Sequence, residues 1–209
     1  AELRAQRGRL AEQFRAEAAR LNEARNKAAR DLEKQMVREL ASLAMERAHF
    51  QVAIDEASWS PSGADGVRFL FTANAGEAPK PLDKVASGGE LSRIALALKT
   101  CAAPKGRGRT FVFDEVDAGV SGRAAEGIGR RLKKLAARHQ VLCVTHLAQV
   151  AGFADHHYLI EKRESRGRTL ATVEELDRTG RVREIGRLLS GATVTDEALK
   201  QAERLIQVS

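Results

Sequence analysis

The residues best suited to chemistry lie between Val85 and Ala118 and at His146. The first run reads VASGGELSRIALALK and the second TFVFDEVDA. Ser87, Gly88, Gly89 and Glu90 stand just ahead of the apolar-periodic residues Leu91, Ile94, Ala95 and Leu98. That order predicts a glycine turn opening a helix, and exposed N–H groups at a helix start attract anions. Thr110 to Phe113 reads as a short buried strand ending in the carboxylates Asp114 and Glu115. An acid pair at a strand tip suits a magnesium ion and an activated water. Val141 to Thr145 predicts another buried strand, ending at His146. In an open parallel sheet, ligands sit beyond the carboxyl ends of the strands. A carboxylate for the metal, a carboxylate to take a proton and an imidazole would therefore converge on a nucleotide phosphate. Each feature alone has a plainer explanation, since acid pairs follow apolar runs by chance and a single His is more often structural. Their joint occurrence with SGGE is the specific signal. Yet the usual phosphate-cradling loop, GxxxxGK[ST], occurs nowhere in the chain.

The elements that must hold these residues follow from periodicity. From Ala1 to about His49 there is no Pro and a single Gly, Gly8. Leu3, Leu10, Phe14, Leu21, Ala28 and Leu32 recur at steps of seven and four. Such a narrow stripe amid charge predicts one arm of a two-stranded coiled coil. The alternative is a helix packed on its own domain, but a helix of this span would reach about 70 Å. Phe50 to Ile54 and Val67 to Thr72 read as strands, with a turn over Ser58 to Gly66 and a loop over Asn74 to Pro81. Trp59 reads as a packing anchor there. The helix from Glu90 should stop near Ala103, before Pro104 and Gly106. Ser121 is placed to cap a helix running to about Arg138. A short helix over Leu147 to Phe153 precedes a hairpin, Tyr158 to Lys162 with Thr169 to Val173. Two helices, Arg181 to Leu189 and Thr195 to Ile206, close the chain, the second capped by Thr195 or Asp196. Strands alternating with helices predict an α/β layered core with a largely parallel sheet.

At 209 residues and 43% hydrophobic, the chain can bury one core with material left for an extension. A formal charge of +7 favours an acidic partner, nucleic acid before membrane, although an Arg-rich solvated helix would give the same balance. Cys101 and Cys143 have no metal-ligand spacing and read as free buried thiols in a reducing compartment. No apolar run approaches the roughly 20 residues of a membrane span. The chain opens at Ala1 with no initiator Met, in what reads as mid-helix, so a piece of a longer protein is expected.

Taken together, the motifs resemble a known family. SGGELSR is similar to the signature motif of ABC-type ATPases, FVFDEVDAGVSG to their Walker B strand and D-loop, and VTHLAQV to their switch-histidine region. With QVLCVTHLAQVAGFADHHYLIEK and RTLATVEELDRTGRVREIGRLLSG, the chain resembles more closely the RecN family of SMC-related bacterial DNA-repair ATPases. The likeness covers most of Phe50 to Gly191. It implies the C-terminal lobe of an ABC/SMC-type ATPase head over residues 49–209, and the C-terminal arm of an antiparallel coiled coil over 1–48. It also implies ATP and magnesium as cofactors. Asp114 would help hold magnesium, Glu115 would act as general base, and His146 would contact the γ-phosphate. Ser87, Gly88, Gly89 and Glu90 would form the signature that serves nucleotide on the opposite protomer, and Asp117 would sit in the D-loop at the interface between protomers. The implied partners are the N-terminal half of the same protein, a second protomer joined head to head, and DNA held without sequence preference. The implied place is the cytoplasm, on the nucleoid. The missing Walker A loop implies a fragment inactive by itself.

Another SMC-like or Rad50-like head acting mainly as a DNA tether, and the ATPase subunit of a membrane transporter, remain as alternative readings. The long charged N-terminal helix argues against the transporter. For DNA, the candidate contacts are Lys105, Arg107 and Arg109, then Arg130, Arg131, Lys133 and Lys134, and the hairpin residues Arg163, Arg166 and Arg168.

Overall fold

The computed structural model describes residues 1–84, 87–102, 108–165 and 168–207. The chain divides into two compact units: Ala1–Ala41 with Met45–Ser87, and Ser42–Ala44 with Gly88–Ser209.

The first unit is a helix and an antiparallel sheet. Helix α1 spans Glu2–Ala41, about 60 Å at 1.5 Å per residue. It stops short of the expected His49. Ala44 takes a left-handed backbone (φ 60°), and the Met45 N–H donates to Leu40 O at 3.1 Å. This is the geometry of a Schellman-type helix end. Glycine usually occupies that position, so good helix formers hid the stop. Strands β1 (His49–Ser60) and β2 (Gly63–Thr72) pair antiparallel, and β3 (Lys80–Pro81) joins the β2 edge. The hairpin is longer than its sequence suggested, because the expected turn over Ser58 to Gly66 shrinks to Pro61 and Ser62.

That hairpin lies along α1. Phe14 stacks on Trp59 with ring centroids 4.4 Å apart, and the Arg15 guanidinium sits over the same ring. Asn22 Nδ2 donates to Asp65 Oδ1 at 2.9 Å, and Arg25 to Ser62 O at 2.7 Å. Ala28 and Leu32 line a cleft with Val52, Ile54, Val67 and Phe69. From Phe14 onward, then, the apolar stripe of α1 meets its own hairpin. Leu3 and Leu10, further along the same stripe, remain 80% and 58% exposed.

The second unit holds the α/β order. Helix α2 (Gly88–Ala102) leads to β4 (Thr110–Phe113), α3 (Gly122–Ala136) and β5 (Gln140–Cys143). Strands β4 and β5 pair in parallel, Phe113 opposite Cys143, as a strand–helix–strand crossover requires. A short α4 (Ala148–Ala151) precedes the hairpin β6 (Tyr158–Ser165) and β7 (Arg168–Glu175), then α5 (Arg178–Ser190) and α6 (Asp196–Gln207). Asp177 caps α5 by accepting the Gly180 N–H at 2.6 Å. Thr195, of the two expected candidates, caps α6 by accepting from Ala198 N at 3.2 Å. Ser121 holds the N-cap position of α3 in extended backbone, but its side chain makes no capping bond. Ile185 and Ala202 are buried with Ala148 and Ala151, so α4, α5 and α6 share one small core.

The parallel pair is covered on one face only. Val112, opposite Leu142, and Val144 beyond it are 68%, 49% and 55% exposed. On β6–β7, the cross-strand pair Ile160 and Val173 is likewise exposed. Parallel sheets are otherwise buried on both faces, and an isolated hairpin is marginal in water.

Candidate functional site

Three segments of the second unit converge: the start of α2, the loop after β4 and the loop after β5. The ladder carries two of them past the strand ends, since Val144 N donates to Phe113 O at 2.9 Å. Asp114-Glu115 and His146 therefore emerge side by side at the carboxyl end of the sheet, where the sequence placed them.

Asp114 and Glu115 are both exposed. Glu115 takes a left-handed backbone, φ 55°, a conformation that costs a non-glycine residue about 1 kcal/mol or more and clusters at functional sites. Hydrogen bonds from α2 brace the loop around it. Ser92 Oγ donates to Asp114 O at 2.8 Å, and Arg93 donates to Ala118 O at 2.7 Å. Arg93 is buried, its Nε has no hydrogen-bond partner, and burial holds its pKa below the usual value, with Glu90 acting the other way. Neither Ser92 nor Arg93 was expected to matter. Both stand in the quoted SGGELSR run, but a backbone carbonyl across the fold leaves no mark in sequence.

The two glycines leave little room for a side chain. A Cβ on Gly88 would lie 3.1 Å from Glu115 Oε2, and one on Gly89 would lie 2.9 Å from Ala118 Cβ and 3.2 Å from Glu115 O. The signature turn thus packs directly on the carboxylate loop of its own chain. Ser87 closes the first unit and is exposed.

Asp117 behaves differently from the other acids. It was expected in a D-loop facing another protomer, and its side chain is turned inward, 1% exposed. Its Oδ2 accepts the Thr145 hydroxyl and the His146 N–H, the latter at 3.2 Å, and lies 3.4 Å from His146 Nδ1. Cys143, next to this carboxylate, is a free thiol. Burial first, then Asp117 and Asp114, push its pKa up to about 12, so it stays a neutral packing group.

The donor set fits part of a magnesium shell. Magnesium is held by one or two carboxylates with water and phosphate oxygens completing it, and the exposed Asp114 offers one. Among the described residues, no group of three or more His, Cys, Asp or Glu makes a complete metal site.

Of the basic candidates, Arg130 pairs with Glu126 at 2.5 Å and Lys133 with Asp155 at 2.7 Å, both on the surface of α3. Arg109 is exposed and Lys134 is exposed. Lys105, Arg107 and Arg166 lie outside the described residues, as do the side chains of Arg163 and Arg168.

Comparison with known proteins gives a consistent picture. The chain is 41% identical over 199 residues to the DNA repair protein RecN of Vibrio cholerae, 94% of this chain and 36% of that protein. It is 42% identical over 205 residues to RecN of Rickettsia prowazekii, 98% of this chain and 37% of that one. With RecN of Bacillus subtilis it shares 40% identity over 207 residues. The matched region is C-terminal, and the chain spans little more than a third of the length of these relatives. No family model matches. Among solved structures, the Smc head domain with a coiled coil and joint from Pyrococcus yayanosii superposes with a TM-score of 0.51. It shares 18% identity and matches 97% of this chain and 36% of that one, which supports the fold.

Proposed function

Proceeding from this homology to the C-terminal part of the RecN proteins, we propose that the chain is one lobe of an SMC-like ATPase head, with the base of one coiled-coil arm, working in recombinational repair of DNA breaks. The reading rests on one juxtaposition: Asp114-Glu115 and His146 at the carboxyl ends of paired parallel strands, beside the start of α2, on a sheet whose other face is bare. The rest of the protein, which in the relatives exceeds this chain in length, would cover Val112, Leu142 and Val144 and supply the phosphate loop. Leu3 and Leu10 would meet the second arm of the coil, beyond the reach of the hairpin.

Bound ATP and magnesium would supply the phosphorus to be attacked and the cation that neutralises phosphate charge. Asp114 would hold the cation. Glu115 would orient a water and take its proton, and His146 would hydrogen-bond the γ-phosphate from the neighbouring strand end. Ser87, Gly88 and Gly89 would offer hydroxyl and N–H groups to nucleotide on a second protomer, so closure of two heads would complete each site. The role places the protein in the cytoplasm, on DNA.

The test is reconstitution. The 209-residue chain alone should show no magnesium-dependent ATP hydrolysis, and activity should appear on mixing with the N-terminal part of the protein. Robust hydrolysis by the chain alone would overturn the reading. DNA binding is tested separately by reversing Arg131, Lys134 and Arg109 to Glu in the full-length protein. Duplex affinity should fall across all sequences, and the salt slope should drop by about one for each phosphate no longer neutralised. An unchanged slope would remove this surface from consideration.

A further inference from the structure

We infer that Asp117 is a positioning residue for His146, acting within one chain and not across the interface between protomers. The inference rests on the ATPase reading for its catalytic meaning, but its geometry stands alone. Asp117 follows β4 and Thr145-His146 follows β5, so the carboxylate bridges the two strand ends that carry the chemistry. At 1% exposure it cannot reach a ligand in solvent. Its oxygen instead serves three groups of the histidine loop: the Thr145 hydroxyl, the His146 N–H at 3.2 Å and, at 3.4 Å, the ring Nδ1. Thr145 Oγ1 in turn accepts the Leu147 N–H at 3.1 Å, which fixes the turn leading into α4.

The consequence is a choice of tautomer. A carboxylate facing Nδ1 favours the ring form with the proton on that nitrogen, because Nδ1–H can donate to it and a bare Nδ1 lone pair would face negative charge. Nε2 is then the ring nitrogen left facing a ligand; it accepts from a donor while the ring is neutral, and it donates to a phosphate oxygen only when the ring carries a proton there as well. The His146 ring is otherwise open, its side chain 71% exposed. Burying an acid beside a strand end is costly unless hydrogen bonds satisfy it, and here the Asp117 carboxylate takes hydrogen bonds from the His146 loop.

The test uses the full-length protein. Asp117→Ala should lower kcat for ATP hydrolysis about ten- to a hundredfold with little change in KM, the penalty of a misplaced group. In a His146→Ala background the same substitution should cost nothing further, because the two act as a unit. Asp117→Asn keeps an acceptor for Thr145 and for the N–H, so it should retain more activity than Asp117→Ala. It also completes the same cycle if the alanine variant does not fold. Nitrogen NMR of isotope-labelled histidine, with His146 assigned by substitution, should show the neutral ring protonated at Nδ1 in the wild type and shifted toward Nε2 in the variants. Equal losses from the Asp117 substitution with and without His146, or a wild-type ring protonated at Nε2, would overturn the inference. Failure of the ATPase reading looks different: Glu115→Gln would then leave hydrolysis untouched, and the NMR result would still decide the role of Asp117.

Discussion

Glu115→Gln in the full-length protein is expected to reduce steady-state ATP hydrolysis by about two to four orders of magnitude, the usual contribution of a general base, while nucleotide binding and ATP-dependent association of heads persist. The substitution is nearly isosteric. It keeps the left-handed backbone at this position, where φ is 55°, and keeps a polar end group against Gly88. What disappears is the capacity to accept a proton from water. Because Asp114 remains, the magnesium ligand expected from this chain is intact, so nucleotide binding should survive the substitution. Phosphate release gives kcat, and sedimentation with ATP and magnesium gives the dimer fraction. A kcat within a few-fold of wild type would show that another group accepts the proton. Loss of dimer along with activity would mean that Glu115 holds the nucleotide itself.

Gly89→Ala should be the most disruptive conservative change in the signature turn. The added Cβ would lie 2.9 Å from Ala118 Cβ, 3.2 Å from Glu115 O and 3.3 Å from Ala118 O. None of those atoms can rotate away, so the start of α2 or the carboxylate loop must shift by some tenths of an ångström. Overpacking of this kind costs about 1–3 kcal/mol. The loop that moves carries Glu115, so hydrolysis should fall in the same variant. Gly88→Ala offers the contrast. Its Cβ would meet only Glu115 Oε2, at 3.1 Å, the far end of a flexible side chain that can swing aside. Urea unfolding of the full-length protein should therefore show little change for Gly88→Ala and a clear loss for Gly89→Ala, while both lower kcat. If Gly89→Ala is as stable and active as wild type, the turn and the loop do not pack as described. If only nucleotide affinity changes in both variants, the glycines act solely toward ligand.

This close packing links two functions that sequence motifs present as separate. The α2 turn is the part expected to serve a second protomer, and the loop it rests on carries the acid expected to serve nucleotide on its own chain. Ser92 and Arg93 add hydrogen bonds to Asp114 O and Ala118 O. A displacement of α2 would therefore act on the backbone of the carboxylate loop, directly at Gly89 and through the Ser92 and Arg93 side chains.

The sequence by itself determined what depends on near neighbours along the chain. Apolar runs bounded by turn residues marked β4 and β5, although β5 stops at Cys143 and not at the expected Thr145, and Asp114, Glu115 and His146 follow those runs in the chain. The glycines before Leu91 marked the start of α2, and Thr195 was one of two foreseen caps. Tertiary structure decided what depends on residues far apart. The stripe Phe14, Leu21, Ala28 and Leu32 has the spacing of a coiled-coil seam, yet periodicity states only that a face is apolar and not what covers it. Its own β1–β2 hairpin meets that face from Phe14 onward, while Leu3 and Leu10 stay exposed and Leu21 is 38% exposed. The end of α1 turned on a left-handed Ala44, which helix propensity disfavours and a Leu40–Met45 hydrogen bond secures. Asp117 is the sharpest case. Its motif named a loop, but the direction of its carboxylate was set by Thr145 and His146 on the neighbouring strand. An acid faces solvent or the interior according to whether buried donors await it, and those donors are assembled only when β4 and β5 pair.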